Sequence, residues 1–231
     1  MASQSVSARL RESSLDIWRR IMGHPCVQGL GAGTLNKSRL RYFLGQDYLF
    51  LEDYGRALAF AGIKAPTPTI ASYLFGRISQ SLDAERDFIL KQAELVGLSL
   101  EVIQAAEKVP AMQAYADHLV RTAALGTYAQ SLSTLLACNW CYLEMGEQWL
   151  KDLKSTGAKN RRKQDRSKNP WIEMYTSDAM HEAVAWYWDA VDNASQGLST
   201  AQLAVIEESF KRSSRYELRV WDAVLNLEGW D

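Results

Sequence analysis

The sequence predicts an all-α protein that folds as a single domain over residues 1–231. Apolar residues recur at spacings of three and four along almost the whole chain, which is the period of an amphipathic helix. The alternating pattern of strands, bounded by turn residues, is missing. The chain has 231 residues, 47% of them hydrophobic, and is therefore long enough to bury one sizeable core. We expect one helical bundle.

Eight helices are predicted, and glycine or proline residues separate most of them. In chain order they span residues 5–22, 36–63, 67–96, 100–108, 110–123, 126–156, 170–194 and 199–228. Ser199 and Gln202 have the spacing of a capping box, which marks the start of the last helix. The glycine-rich run at 29–33 follows no strand, so it is interpreted as a flexible connection between helices rather than a phosphate-binding loop.

The charge of the chain narrows the class of partner. The sequence has 26 basic and 27 acidic residues, and a formal net charge of -1 gives no reason to expect a nucleic acid or an anionic membrane as partner. The basic segment 159–168, KNRRKQDRSK, has no interleaved aromatic residue, so it is interpreted as a solvated loop. A small, neutral or weakly charged molecule is the expected ligand.

Cysteine content and hydropathy predict the compartment. No apolar run is long enough to cross a bilayer, and arginines interrupt the first thirty residues where a signal peptide would need an apolar core. Three cysteines, an odd number, argue against a disulfide framework and for a reducing environment. The sequence therefore predicts a cytoplasmic protein.

The apparent metal and redox motifs are incomplete. Cys138 and Cys141 form a C-x-x-C, but it lies inside a predicted helix and does not follow a strand. His181 and Glu182 begin like a zincin helix, but Ala185 occupies the position of the second histidine. Paired Glu-x-x-His motifs, as in di-iron bundles, are missing. We expect no metal and no cofactor.

Cys138 is the candidate nucleophile. It lies in the middle of a predicted apolar helix, within the segment LLACNWCYLEMG at 135–146, and Glu144 follows it. A buried thiol among aromatic side chains can attack a flat, electron-poor ring that stacks against them. Free cysteine is also among the most buried residue types. When Cys138 is considered alone, a purely structural role in the core is therefore the favoured explanation.

Further polar residues lie on apolar, aromatic helix faces. Asp47 shares a face with Phe50 and Tyr54, at spacings of three and seven, and a carboxyl group beside two rings suits the edge of an aminopyrimidine. Tyr115 and Tyr175 lie in other amphipathic stretches, and Glu217 comes one turn before Trp221. Each of these residues has an ordinary explanation as a capping or surface residue when it is considered alone.

Five segments in a fixed order resemble the TenA family, the thiaminase II or aminopyrimidine aminohydrolase group, over nearly the whole chain. They are FLGQDYLFL, the tyrosine before the cysteine helix, LLACNWCYLEMG, WIEMY, and SSRYELRVW followed by EGW. The resemblance implies a haem-oxygenase-like helical bundle that assembles as a tetramer. It also implies a cofactor-free hydrolase of thiamin salvage, which converts 4-amino-5-aminomethyl-2-methylpyrimidine to the hydroxymethyl compound and ammonia and acts more slowly on thiamin.

The same resemblance implies a role for each candidate residue. Cys138 would be the nucleophile and Glu217 the acid/base, and we expect Glu217 to be protonated at the start, because burial raises the pKa of a carboxyl group. Asp47 would hydrogen-bond the pyrimidine amino group and the adjacent ring nitrogen. The remaining substrate-binding residues would be Phe50, Tyr115, Tyr142 and Tyr175.

Two departures from the family pattern bear on specificity. Ala137 and Asn139 flank the cysteine where a proline and an aromatic residue are more usual, and Phe50 stands where a tyrosine often occurs. Two other functions stay open. One is an oxidoreductase resembling the haem oxygenases or the pyrroloquinoline quinone synthesis oxidases, for which the histidines would be His24, His118 and His181. The other is a protein that binds a pyrimidine without turning it over.

Overall fold

A computed structural model describes residues 5–155 and 169–230, and all regular secondary structure within them is helical, which confirms the all-α prediction. The helices of the described residues are α1 (Val6–Ser13), α2 (Leu15–Met22), α3 (Pro25–Ala32), α4 (Lys37–Ile63), α5 (Pro68–Gln80), a π-helical turn (Ser81–Glu85), α6 (Arg86–Leu95), α7 (Leu100–Gln104), α8 (Pro110–Leu125), α9 (Tyr128–Ser155), α10 (Pro170–Tyr175), α11 (Asp178–Ala194) and α12 (Thr200–Asn226). The predicted basic loop at 159–168 lies outside the described residues.

The long helices form a bundle around α9. This helix packs against α12 and α11, and it also contacts α10, α8 and α4, while α4 packs against α8 and α5. Large aromatic side chains fill the core between them and are completely or almost completely buried: Trp18, Phe43, Tyr187, Phe210 and Trp221. Within the described ranges, none of the helices is long and apolar enough to cross a bilayer.

The prediction of a flexible connection at 29–33 is wrong, because most of this run belongs to α3. Pro25 occupies the first turn of the helix, and the Nδ1 atom of His24 accepts a hydrogen bond from the Cys26 N–H at 3.2 Å. A Cβ atom on Gly31 would lie 2.4 Å from the ring of Trp149, so this glycine allows close packing of α3 on α9. Gly33 ends the helix in the left-handed conformation, with φ of 66°.

Three of the predicted helices are interrupted. The segment 5–22 breaks at Ser14, and 170–194 breaks where the Ser177 side chain accepts a hydrogen bond from the Met180 N–H and starts α11. The segment 67–96 contains the π-helical turn, which inserts one extra residue and rotates the faces that follow it. The predicted capping box is confirmed, since the Ser199 and Gln202 side chains each bond the other residue's backbone N–H.

Candidate active site

A cavity of about 470 Å³ opens where α4, α5, the π-helical turn, α9 and α10 meet the start of α11. Its lining combines aromatic side chains with a few polar groups, which is typical of a small-molecule site. The lining residues are Asp47, Phe50, Leu51, Tyr54, Arg77, Gln80, Ala84, Glu85, Phe88, Cys138, Asn139, Tyr142, Pro170, Glu173, Met174, Tyr175, Ser177, Ala179 and Met180. Five of the seven residues that the sequence singles out are among them.

Cys138 lies in the cavity wall, and two predicted residues lie directly behind it. The hydroxyl of Tyr115, on α8, donates a hydrogen bond of 2.7 Å to Oε1 of Glu217, on α12. Both of these side chains are in contact with the Cys138 thiol, since each of them affects its pKa through a hydrogen bond. Three helices therefore converge to place a thiol, a carboxyl group and a phenol together, 8%, 1% and 2% exposed respectively.

The electrostatics of this group follow from its burial. Burial raises the pKa of Glu217 to about 7, although the hydrogen bonds with Tyr115 and Cys138 lower it. Burial also raises the pKa of Cys138 well above its usual value, and the charge of Glu217 adds to the increase. The thiol is thus protonated at neutral pH, while Glu217 is divided between its two forms. The direction agrees with the prediction that burial raises the pKa of Glu217. The further expectation that Glu217 is protonated at the start holds for only part of the molecules at neutral pH, because a pKa of about 7 leaves the carboxyl group half ionised there.

Asp47 offers a second carboxyl group to the cavity. Desolvation raises its pKa well above the usual range, and the nearby Glu85 and Glu217 carboxylates raise it further. Among the described residues, no side chain or backbone group hydrogen-bonds the Asp47 carboxyl group. The raised pKa favours the neutral carboxylic acid form of Asp47, which offers the cavity both a donor and an acceptor.

Aromatic rings enclose the space between Cys138 and Asp47. Phe50 stacks on Tyr115 with ring centroids 5.1 Å apart, and Tyr142 packs on Tyr175 at 5.0 Å. Phe50, Tyr142 and Tyr175 line the cavity, whereas Tyr115 lies behind Phe50. The part of the cavity that Phe50, Tyr142 and Tyr175 line is thus an aromatic slot, in which a flat molecule can stack against a ring.

The glycine of the cysteine segment positions Tyr175. Gly146, on α9, lies so close to α10 that a Cβ atom would be 2.8 Å from the Tyr175 Cβ and 3.1 Å from its carbonyl carbon. We expect Gly146→Ala to lower the free energy of unfolding by about 1–3 kcal/mol, as overpacking does. It should also lower kcat/KM, because Tyr175 must move. Chemical denaturation and steady-state kinetics measure the two effects.

A matched control is Gly45→Ala, in the interior of α4, where a Cβ atom would meet nothing within 4 Å. We expect this variant to be as stable as the unmodified protein or more stable by up to about 1 kcal/mol, because alanine has the higher helix propensity. Equal stability of the two alanine variants would contradict the close approach at Gly146.

Sequence reasoning missed the residues that α5, the π-helical turn and α6 bring to the cavity: Arg77, Gln80, Ala84, Glu85 and Phe88. A 3.6-residue period across 67–96 places these residues on one broad face of the segment, which is the signal that the sequence offers. The period alone does not show that this face borders a cavity, because the cavity forms only where other helices pack beside it.

Other candidates lie outside this site. Glu144 pairs with Arg11, so it does not accompany Cys138 in the cavity. Cys141 is completely buried away from the cavity lining, and the three cysteines are free. The cavity lining contains no histidine, and the described part of the chain has no group of three or more His, Cys, Asp or Glu residues suited to a metal ion.

The fold and the site together define an all-α bundle protein with a thiol and a carboxyl group at the wall of a buried aromatic cavity. A profile of the TENA/THI-4/PQQC family matches residues 11–227. The chain belongs to this family, as its sequence resemblance predicted.

Named relatives cover almost the same length. The aminopyrimidine aminohydrolase of Halalkalibacterium halodurans is 32% identical over 98% of this chain and 98% of its own. The aminopyrimidine aminohydrolase of Bacillus subtilis is 29% identical over 97% of this chain and 91% of its own. These relatives confirm the prediction of an enzyme of the hydrolase class.

Solved structures confirm the fold. A TenA homologue from P. horikoshii OT3 is 25% identical, covers 96% of this chain and 99% of its own, and superposes with a TM-score of 0.84. A domain with a haem-oxygenase-like fold from Shewanella denitrificans OS217 covers 95% of this chain and 92% of its own, with a TM-score of 0.72 at 14% identity. The haem-oxygenase-like architecture implied by the resemblance is thus confirmed.

Proposed function

We propose that the protein hydrolyses 4-amino-5-aminomethyl-2-methylpyrimidine to the hydroxymethyl pyrimidine and ammonia, and that it cleaves thiamin more slowly. The observation that carries this proposal is the group of Cys138, Glu217 and Tyr115 at one wall of the aromatic slot, with Asp47 in the same cavity. The activity printed in the names of the relatives from H. halodurans and B. subtilis supports the same chemistry.

The proposed mechanism avoids a slow direct displacement at the exocyclic methylene. The sulfur of Cys138 adds to a carbon of the pyrimidine ring, and a ring nitrogen gains a proton from Glu217. The electron pair then moves outward, the bond between the methylene and the nitrogen breaks, and the amine, which binds in its ammonium form, keeps the electrons of that bond and leaves as ammonia. Water adds to the exocyclic methylene that results and loses a proton to solvent. The bond between sulfur and the ring then breaks, and the proton of the ring nitrogen returns through Glu217 to the Cys138 sulfur as the product is released.

The proton that the ring nitrogen gains comes from the thiol and carboxyl pair itself. The raised pKa of Cys138 keeps sulfur protonated, so Glu217 must accept that proton as sulfur attacks and then donate it to the ring. The reactive form therefore holds one proton on the pair. Tyr115, which donates a hydrogen bond to Glu217, orients the carboxyl group during both transfers.

Asp47 as a neutral acid matches the edge of an aminopyrimidine. Its O–H can donate to the ring nitrogen, and its carbonyl oxygen can accept from the amino group. An asparagine side chain offers the same donor and acceptor. We therefore expect Asp47→Asn to retain kcat/KM within about tenfold and Asp47→Ala to lose about 100-fold, which is the value of two buried hydrogen bonds.

Steady-state kinetics on the two Asp47 variants test this. If Asp47→Asn were as inactive as Asp47→Ala, the side chain would be needed as a carboxylate, and the neutral form would be disproved.

The remaining properties are part of the same proposal. We propose that residues 1–231 form one domain, that the protein acts in the cytoplasm, and that it assembles as a homotetramer of the kind the family resemblance implies. The near-complete coverage of the relatives supports the first of these. Size-exclusion chromatography with light scattering measures the oligomeric state directly.

The decisive experiment is to measure ammonia release from the aminomethyl pyrimidine by the purified protein, with thiamin as second substrate. Release of ammonia supports the hydrolase, and faster turnover of the aminomethyl compound supports the order of substrates. Tight binding with no release from either compound would instead favour a pyrimidine-binding protein. The oxidoreductase alternative has no specific support, since no histidine lines the cavity.

A further inference from the structure

The proposed mechanism gives no role to the residues of one cavity wall. Arg77 lies in this wall, and its Nη1 donates to Oε1 of Gln80 at 2.7 Å while its Nη2 donates to Oδ1 of Asn139 at 3.4 Å. Its Nε is buried and has no hydrogen-bond partner among the described residues. Both hydrogen-bond acceptors are neutral amide oxygens, and the charge of Glu85 acts on the guanidinium from the same cavity. The buried Nε–H still lacks an acceptor in the described part of the chain, and a ligand oxyanion would supply one.

Asn139 holds the guanidinium in place. Its Nδ2 donates to the hydroxyl of Tyr54 at 2.7 Å and to the Leu135 carbonyl oxygen at 2.8 Å, and this leaves its Oδ1 to face Arg77. The buried hydroxyl of Tyr187 lies beside the Tyr54 hydroxyl and Arg77, and it belongs to the same group of polar side chains. Asn139 thus fixes Arg77 in the cavity wall with its Nε unpartnered among the described residues, and a planar guanidinium fork fits carboxylate or phosphate oxygens.

The position and size of the cavity also favour a ligand that is large enough to reach Arg77. Asn139 follows Cys138 on α9, so the ring that Cys138 attacks lies next to the Arg77 wall. The volume of about 470 Å³ is in the range of sites for much larger ligands than a small aminomethyl pyrimidine. The leaving group is joined through the methylene to the ring carbon beside the amino group, and the volume of the cavity has room for it beyond the ring.

We propose that Arg77, positioned by Asn139, binds an oxyanion carried by the leaving group, so that the preferred substrates are pyrimidines whose leaving group ends in a phosphate or a carboxylate. This inference rests on the proposed function and names the substrate class for it. Glu85 lines the same cavity near Asp47 and complements the positive charge of an ammonium or thiazolium nitrogen. The favoured leaving group thus has a cation next to the methylene and an anion at its far end.

The test compares kcat/KM for thiamin, thiamin monophosphate and a thiamin analogue whose hydroxyethyl arm is oxidised to a carboxylate. We expect the unmodified protein to prefer at least one of the two anions over thiamin by about tenfold or more, as one charge-assisted hydrogen bond provides. Arg77→Met should reduce that ratio to near one. Of the two anionic compounds, the one with the larger preference over thiamin identifies the oxyanion as phosphate or carboxylate.

Arg41→Met is the matched control. Arg41 also donates only to neutral oxygens, the Val96 and Gly97 carbonyls, but it lies outside the cavity lining, so this variant should keep the unmodified ratio. A ratio near one in the unmodified protein, or a preference that Arg77→Met leaves unchanged, overturns the proposal.

Binding separates this inference from the proposed function. Tryptophan fluorescence titrations with Cys138→Ala give the dissociation constants of the same three compounds without turnover. The anion preference should appear in Kd and vanish when Arg77→Met is added. If the unmodified protein releases no ammonia and cleaves no thiamin, the hydrolase fails, while the Kd ratio still decides whether Arg77 binds an oxyanion.

Discussion

Cys138→Ala is expected to abolish ammonia release from the aminomethyl pyrimidine, with a loss of kcat of at least about 1,000-fold, as when a covalent nucleophile is removed. The expectation rests on its place at the cavity wall, in contact with Glu217 and Tyr115. The side chain is almost entirely buried, and removing one sulfur atom from the wall of an existing cavity should disturb packing little. The loss should therefore appear in kcat while the Kd for the pyrimidine stays within a few fold.

Cys141→Ala is the matched control, because Cys141 lies one helical turn further along α9, is fully buried and does not line the cavity. We expect it to keep kcat and to lose about 1 kcal/mol of stability from the small void it leaves. Equal loss of activity in the two variants would show that packing of α9, rather than a nucleophilic thiol, carries the effect. Substantial turnover by Cys138→Ala would disprove the covalent route.

Properties that depend on local spacing could be predicted from the sequence. The helical period located α4, α8, α9 and α12, and the capping pair at Ser199 located the start of the last helix. The position of Glu217 on an apolar face, one turn before Trp221, was enough to predict the direction of its pKa change, because burial alone dominates that change.

Properties that depend on a partner distant in sequence could not be predicted. The glycines of α3 resemble a flexible linker until Trp149, on another helix, shows why no side chain fits at Gly31. Arg77 has the sequence pattern of an ordinary helix residue, and only the packing of α5 beside Asn139 of α9 shows that it lies in the cavity wall. Tyr115 could be selected as a site residue, but only the packed structure shows that it lies behind Phe50 and reaches Glu217.

Glu217→Gln is expected to lower kcat/KM by about 100 to 10,000-fold, the range for loss of a general acid and base. In the unmodified protein kcat/KM should fall as pH decreases below about 7, because protonated Glu217 cannot accept the thiol proton, and the variant should lose this dependence. A pH profile of kcat/KM between pH 5 and 8 measures both. A profile that instead rises toward low pH would show that the productive form starts with Glu217 protonated.

The same substitution should increase stability at high pH, which separates its effect on chemistry from an effect on folding. The folded pKa of about 7 lies above the ordinary carboxyl value of 4.5, so the fold is penalised as pH rises from 4.5 to 7, and the penalty is constant above that. Glutamine does not titrate and avoids this penalty, which amounts to about 3 kcal/mol. Urea denaturation at pH 5 and pH 8 should therefore show that Glu217→Gln gains stability over the unmodified protein as pH rises. A variant that is inactive yet more stable at pH 8 would show that buried Glu217 lowers the stability of the fold and is nevertheless required for proton transfer.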